Sequence, residues 1–426
     1  MTVEGWELKQ LDEIGAICSG STPSTTNPGY WDGDIIWVTP NDLSKLNTPY
    51  LKTSNKKITQ QGLKSCSAQM IPAGSIILSS RAPIGYVAIA TTECCTNQGC
   101  KSFNLKQEYN SEFVYYNLNF NVDKIKNLGE GTTFAEISKT ALAKVKIPFL
   151  ENKEEQIQIA AILSTTDRAI EQTEAIIAKQ QRIKTGLMQD LLTKGIDENG
   201  NVRSEATHEF KDSPLGRIPL EWKVEMFGKG VKSSAFGPRF PSTAYSEQGS
   251  FAVLRTTDLD PEGKISYKQM PLTDLPEKEF QKHILELGDL LITRSGTCGV
   301  PAVFESFDMP TIPGAFLIRF RLDDDFVKPQ YAHICFNWDI GRKRLLDLAE
   351  GGVQKNLRGS TINQMLFVFP NIKEQERIIE RFNAAESEKK IVLEHLKKLS
   401  SLKAGLMQDL LTGKVRVTTL LEAVSA

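Results

Sequence analysis

A chain of 426 residues with 24% charged and 40% apolar residues has a soluble globular composition and is long enough for two to four domains, each with its own core. Its net charge of −1 excludes a global basic field that would coat nucleic acid without regard to sequence, but not a reader whose basic residues sit on a few loops. No apolar run approaches the roughly 18–20 residues needed to cross a bilayer, and the start Met1-Thr2-Val3-Glu4-Gly5-Trp6 lacks the features of a secretory signal, so a cytoplasmic location and no membrane partner are expected.

Residues 1–150 read as a mixed α/β domain. Trp6-Glu7-Leu8 opens it, and a turn-rich loop runs from Gly20 to Trp31, dense in Gly, Pro, Asn and Ser. Apolar runs predict strands at 35–38, 75–80 and 85–90, and residues 112–118 suit a short helix. Residues 151–194 change character: proline is absent and apolar residues recur in steps of seven, at Ile162, Ala169, Ile176 and Ile183, accompanied by Leu163, Ile170, Ile177 and Leu191. That stripe predicts a long helix packed along a partner helix. Residues 195–218 read as a linker, with Asp197-Glu198-Asn199-Gly200-Asn201 as a solvated turn rather than a calcium loop, its glycine being misplaced.

Residues 219–371 repeat the order of the first domain in diverged letters. Trp222-Lys223 answers Trp6-Glu7, residues 253–259 answer 37–43, and residues 288–297 answer 74 onward. Residues 372–413 form a second long helical segment with the stripe Ile378, Ala385, Val392, Leu399 and Leu406, flanked by Phe382, Leu396 and Leu410. Residues 414–426 are a short tail that docks locally or frays. Both helical segments close on the same eight letters, Gly-Leu-Met-Gln-Asp-Leu-Leu-Thr, at 186–193 and at 405–412. One repeat of half the chain implies two similar units. The fold class expected is α+β: two mixed α/β domains separated by two long antiparallel, coiled-coil-like helices, with a pseudo-two-fold internal repeat and the shape of a dumbbell. Ile162, Ile176, Gly186, Leu187, Leu191, Val392, Leu399, Gly405, Leu406 and Leu410 are the residues expected in helix or partner packing. Glycine at 186 and 405 costs each helix about 1 kcal/mol relative to alanine, which points to a close backbone approach or a bend rather than a tolerated surface glycine.

No catalytic constellation emerges. Asn27-Pro28-Gly29-Tyr30 lacks the second proline of an amino-methyltransferase motif, and Phe227-Gly228-Lys229-Gly230 lacks the acidic strand end of a cofactor loop; both read as turns. Neither a P-loop nor H-E-x-x-H is present. The histidines are dispersed, and the seven cysteines are odd in number without C-x-x-C, so they read as reduced thiols, with no metal site. What the chain offers instead is polar, turn-held side chains. In the first domain these are Ser21, Thr22 and Ser24, Arg81 after a strand, Asn97 and Lys101, and Thr132 and Thr133 in a glycine loop before the helix. In the second they are Arg239, Arg255, then Arg294, Ser295 and Thr297 after a strand, and Lys355, Asn356 and Arg358 in the matching glycine loop. Arginine makes bidentate contacts to guanine, and hydroxyl or backbone N–H groups hold phosphates, so these are candidate DNA-binding residues.

The order of motifs, duplicated, resembles the specificity subunit of Type I restriction–modification systems. Gly20-Ser21-Thr22-Pro23-Ser24 with Tyr30-Trp31, Ile147-Pro148-Phe149 before Glu155-Gln156, Phe236-Gly237-Pro238, Phe369-Pro370 before Glu374-Gln375, and the octapeptide carry the resemblance over essentially the whole chain. It implies two target-recognition domains reading a split sequence in double-stranded DNA and two helices acting as spacer and assembly platform. It also implies no catalysis and no cofactor in this chain: S-adenosylmethionine, ATP and Mg2+ belong to its partners, two copies of a modification methyltransferase subunit and the restriction (motor–nuclease) subunits. The entry to each helix departs from the longer proline-rich form common in the family. A self-sufficient methyltransferase and a coiled-coil adaptor with protein-binding domains are the alternatives. The first lacks a cofactor loop, and the matched basic loops weigh against the second.

Overall fold

The computed structural model describes residues 4–128, 136–351 and 355–418. The chain divides into two compact units, one of residues 1–175 with 393–426 and one of residues 176–392. The division falls inside both long helices, Lys153–Thr193 and Ile372–Leu410. Each unit therefore holds one α/β head, the beginning of the helix that leaves it, and the end of the other helix.

The two heads share one topology. In the first, the strands Gly15–Ser19, Cys100–Leu105, Ile76–Ser79 and Val87–Ala90 lie side by side in that order, each antiparallel to its neighbour. In the second the same places are taken by Val231–Phe236, Leu317–Leu322, Leu290–Thr293 and Pro301–Val303. A smaller sheet repeats too: Trp31–Val38 runs parallel to Cys95–Thr96, as Phe251–Leu254 does to Thr311–Pro313. A two-stranded ladder ties each head's entry to its exit, Trp6–Gln10 with Lys146–Leu150 and Lys223–Met226 with Leu366–Phe369. The central strands Ile76–Ser79 and Leu290–Thr293 are buried at every position, which explains their continuous apolar letters. The predicted helix at 112–118 is Ser111–Phe120, capped by the Asn110 side chain, which accepts from the Phe113 N–H at 2.9 Å.

Each long helix starts identically. The Asn152 side chain accepts from the Glu155 N–H, and Asn371 does the same for Glu374. The following glutamines are fully buried and knit helix to head. Gln156 accepts from the Asn110 N–H and donates to the Leu150 carbonyl, while Gln375 accepts from the Lys328 N–H and donates to the Pro370 carbonyl. The glutamates are buried ion-pair partners. Glu155 accepts two hydrogen bonds from Arg416, both near 2.7–2.8 Å. Glu374 accepts from both Nη atoms of Arg203, from Trp222 Nε1 at 3.1 Å and from the Ile196 N–H at 2.9 Å. Both arginines come from the segment that follows the end of the other helix. The tail thus docks as far as Val417, which is buried, and residues 194–203 are not a passive linker. Nor are residues 210–219, which form the hairpin Phe210–Ser213 with Gly216–Pro219. Asp197 does close a turn, accepting from the Asn199 and Asn201 N–H groups.

In each unit the helical segments run antiparallel. Asp167 meets Lys403 in the first, and Gln181 meets Lys389 while Lys184 meets Glu386 in the second. The seam on the second helix is Ile378, Phe382, Ala385, Lys389, Val392, Leu396, Leu399, Lys403, Leu406 and Leu410, alternating steps of four and three as a heptad requires, in agreement with the predicted stripe. On the first helix the seam lies one residue beyond the predicted line. It runs through Ile159, Leu163, Thr166, Ile170, Thr173, Ile177, Gln180, Lys184, Leu187 and Leu191, each 219 before its counterpart. Ile162 is half-buried, but Ile176 and Ile183 are 48% and 58% exposed. The polar seam positions explain the error: Thr166 and Thr173 are buried, their hydroxyls donating to the carbonyls of Ile162 and Ala169 one turn back, so they carry no hydrophobic signal. Gly186 and Gly405 are not sites of close approach within the chain, since a Cβ on either meets nothing within 4 Å among the described residues. No described helix is long and apolar enough to cross a membrane.

Candidate nucleic-acid interface

The antiparallel order of each main sheet brings three loops to one end. In the first head, Gly15–Ser19 and Ile76–Ser79 finish where Cys100–Leu105 begins, so the loop from Gly20, the turn at Arg81 and the turn 96–100 converge. Gly20 is required here, because a Cβ would stand about 2.0 Å from the Asn97 carbonyl oxygen. The Ser21 N–H donates to the Thr96 carbonyl at 2.9 Å, and the Ser21 carbonyl accepts from Trp37 Nε1 at 2.9 Å. The Thr22 hydroxyl bonds the Gln98 side chain, and Trp31 Nε1 donates to the Ser24 carbonyl at 3.1 Å. The loop is therefore pinned at several points, with Ser24 exposed at its outer edge. Asn97 is structural: its Oδ1 accepts from the Gly99 N–H at 3.0 Å and shapes the turn.

The two basic candidates of this head, Lys101 and Arg81, differ from the sequence expectation. Lys101 is buried, with its amine 3.4 Å from the Gln98 carbonyl and 3.8 Å from Glu136; burial lowers its pKa. It is not an exposed contact. Arg81 is exposed but its Nε lies 2.9 Å from the same Glu136, which shares its charge between the two cations. Sequence reasoning missed Glu136, because a single carboxylate on a loop has no periodicity to mark it. Thr132 and Thr133 lie outside the described residues.

The second head builds the same corner with other side chains. Gly237 is its close-approach glycine, a Cβ there falling 2.0 Å from the Gly314 carbonyl oxygen. The Arg294 guanidinium lies 4.2 Å over the Phe236 ring, and its Nε donates to Asn356 Oδ1 at 3.1 Å. The Arg294 N–H donates to the Phe316 carbonyl, and Phe316 itself is 58% exposed. Neither aromatic was singled out as a contact residue from the sequence. Arg294 and Arg81 were expected to match, but the backbone places them one register apart. The Leu357 N–H donates to the Arg294 carbonyl as Ile137 does to Ser80, and Ser295 bridges Asn356 as Arg81 bridges Glu136. Asn356 thus stands where Glu136 stands, so Arg294 meets a neutral amide and a ring where Arg81 meets a carboxylate. Arg358 is exposed and paired to Glu350 at 2.7 Å. Ser295 is half-buried, while Thr297, Lys355 and Arg239 are exposed, Arg239 on the loop after Gly237.

Arg255 is set apart from this group. Its guanidinium grips Asp258 through Nε and Nη2 at 3.1 and 2.9 Å and also donates to the Gln269 carbonyl, and the Asp258 contact raises its pKa. It closes a helical turn, the work done in the first head by Thr39 and Asp42. Asn27-Pro28-Gly29-Tyr30 and Phe227-Gly228-Lys229-Gly230 are short turns, as expected.

Residues 3–180 match the family model of the Type I restriction modification DNA specificity domain. A relative of Methanocaldococcus jannaschii, the Type I restriction enzyme MjaIX specificity subunit, is 31% identical over 293 residues, covering 68% of this chain and 66% of that protein. The chain belongs to the Type I specificity-subunit family. The MjaVIII specificity subunit of the same organism aligns along 98% of this chain and 94% of its own length at 26% identity, and the EcoKI specificity subunit of Escherichia coli along 99% and 95% at 23%. Among solved structures, the Type I restriction–modification S subunit from M. genitalium shares the fold over 96% of both chains, with a TM-score of 0.57 and 16% identity. A chain from a structure describing complex assembly and conformational transition of the type I R-M system matches with a TM-score of 0.60 at 16% identity, over 97% of this chain and all of that one.

Proposed function

We propose that this member of the specificity-subunit family binds a bipartite DNA sequence, each head reading one half-site, and docks the modification and restriction subunits that supply the chemistry. The observation that carries this reading is the repeated corner. One backbone scaffold holds converging loops at the same sheet end in both heads, yet presents Arg81 with Glu136 in one and Arg294 with Phe236 and Asn356 in the other. A common frame with different side chains suits two similar contacts to one duplex with different base readout. Ser24, Arg81, Arg239, Arg294, Thr297, Lys355 and Arg358 are the residues proposed to touch DNA, while Lys101, Asn97 and Arg255 hold the frame. Double-stranded DNA, two modification subunits and restriction subunits are the partners; S-adenosylmethionine, ATP and Mg2+ enter through those subunits.

Long-read sequencing of the host genome tests the reading. A split motif carrying methyladenine, lost when this chain is deleted, is the expected result. A purified chain that bound S-adenosylmethionine by itself would point to a self-sufficient methyltransferase, and one with no sequence-specific DNA binding beside its modification subunit would point to an adaptor.

A further inference from the structure

One face at the end of the second head's main sheet carries exposed aromatics. The Arg294 N–H donates to the Phe316 carbonyl at 2.8 Å, one step beyond the ladder pair Thr293 and Leu317, so Arg294 and Phe316 stand opposite each other. Phe236 lies across from Ile318 on the adjoining strand pair. Side chains alternate along a ladder, so Phe236, Phe316 and Arg294 share the face of Ile292 and Ile318. Those two isoleucines are buried, whereas Phe236 and Phe316 are 44% and 58% exposed. Two rings beside one arginine thus stand at the open edge of a face whose inner part is core.

The first head places small residues at all three positions. Its Ser80 N–H donates to the Gly99 carbonyl at 2.8 Å as Arg294 does to Phe316, and its Gly20 N–H bonds the Cys100 carbonyl as Gly237 bonds Leu317. Ser80, Gly99 and Ser19 therefore match Arg294, Phe316 and Phe236, and the shared fold needs no aromatic there. In the second head the Arg294 guanidinium is held from two sides. The Phe236 ring lies 4.2 Å beneath it, and Asn356 Oδ1 accepts from its Nε at 3.1 Å. Among the described residues no carboxylate pairs with it, and its two terminal nitrogens remain for a ligand.

We propose that the second head reads a guanine whose adjoining base pair presents a thymine methyl, and that Phe316 is the residue that selects the methyl group. The terminal nitrogens of Arg294 form the fork that guanine O6 and N7 accept in the major groove, and a phenyl ring is an apolar contact for the thymine methyl. Neighbouring base pairs are about 3.4 Å apart along the duplex, and residues opposite each other on a ladder about 5 Å apart, so Arg294 and Phe316 together span one base step. A phosphate offers no apolar group to either ring; a groove edge with two acceptors beside a methyl matches both the open nitrogens and the aromatics. The inference rests on the specificity-subunit reading and adds to it the base step and the residue that reads it.

Gel-shift titration of the full chain with its modification subunit, on duplexes carrying the sequenced methylation motif, tests it. Arg294→Ala marks the half-site in question as the one it relaxes, and that half-site contains a guanine next to a thymine. Replacing this thymine by deoxyuridine removes the methyl group alone. The wild type then binds about fourfold more weakly, the loss of one buried methyl. Phe316→Ala, at an exposed position, binds the thymine and deoxyuridine duplexes equally and still prefers guanine through Arg294. A half-site without a guanine–thymine step overturns the proposal, as does a wild type indifferent to deoxyuridine, a Phe316→Ala protein that keeps the full penalty, or an Arg294→Ala protein that weakens both half-sites equally. If Phe316→Ala instead loses uptake of the modification subunit with methyl discrimination intact, the rings are a protein contact and the proposal falls. A wild-type chain with no sequence-specific binding beside its modification subunit overturns the specificity-subunit reading itself, and the proposal with it.

Discussion

Glu374→Ala tests the buried clamp on which the second unit closes. The carboxylate is wholly buried and Arg203 is 5% exposed. Four donors converge on it: two from the guanidinium, Trp222 Nε1 and the Ile196 N–H. Removing the acceptor leaves the buried guanidinium with only the exposed Glu221 carboxylate, 3.4 Å from its Nη2, and leaves two neutral donors unsatisfied. Breaking one side of such a pair costs about 3–5 kcal/mol, and the orphaned donors place the loss toward the upper end. For a unit of 217 residues (176 to 392), about 2–4 °C of melting temperature accompanies each kcal/mol, so the second unit's transition falls by roughly 6–20 °C. Calorimetry of the full chain reads this directly, because the first unit serves as internal reference. The companion variant Glu374→Leu with Arg203→Met removes both charges, and recovers most of the loss if the penalty is the stranded guanidinium. A single variant that loses less than about 1 kcal/mol, or a double variant as unstable as the sum of its parts, refutes the account.

The equivalent clamp in the first unit adds a pH signature. Arg416 holds the Glu155 carboxyl below its usual pKa. The folded value is depressed, so this stabilisation is complete above the unfolded carboxylate pKa and is lost as pH falls through the folded one. Melting curves taken down through the carboxylate range show this loss in the wild type, and Arg416→Ala removes that part of the acid dependence; an unchanged pH profile in the variant contradicts it. Arg294→Ala weakens binding by about 1–3 kcal/mol and relaxes one half-site. Gel-shift series with either half-site varied check this, and equal weakening at both would make Arg294 a phosphate contact. Phe236→Leu, which removes the ring beneath it, gives a smaller effect of about 0.5–1 kcal/mol at the same half-site and none at the other. Deleting one heptad in register from each long helix shortens the proposed spacer by about 10 Å, or roughly three base pairs. The methylated motif then keeps both halves and changes its gap, and an unchanged gap sinks the ruler idea.

The sequence by itself determined the duplication, the class of fold and the places of the long helices, because these rest on long, repeated or periodic signals. An identical octapeptide at half the chain, a heptad stripe from Ile378 to Leu410, and the apolar runs of the central strands are legible without coordinates. Family membership was legible for the same reason. Side-chain partnership was not, because it depends on residues far apart in the chain. Lys101 reads as a surface lysine until strand pairing buries it beside Glu136, and Arg255 as a free side chain until Asp258 takes its Nε and Nη2. The seam of the first helix was displaced by one residue because threonine, glutamine and lysine occupy four of its ten positions, and only packing shows that they face inward. Tertiary structure also turned two helical glycines from suspected internal contacts into open surface. Periodicity names which residues share a face; what that face meets is settled by chain closure in three dimensions, where a buried charge must find its partner and a bare glycine can remain without one.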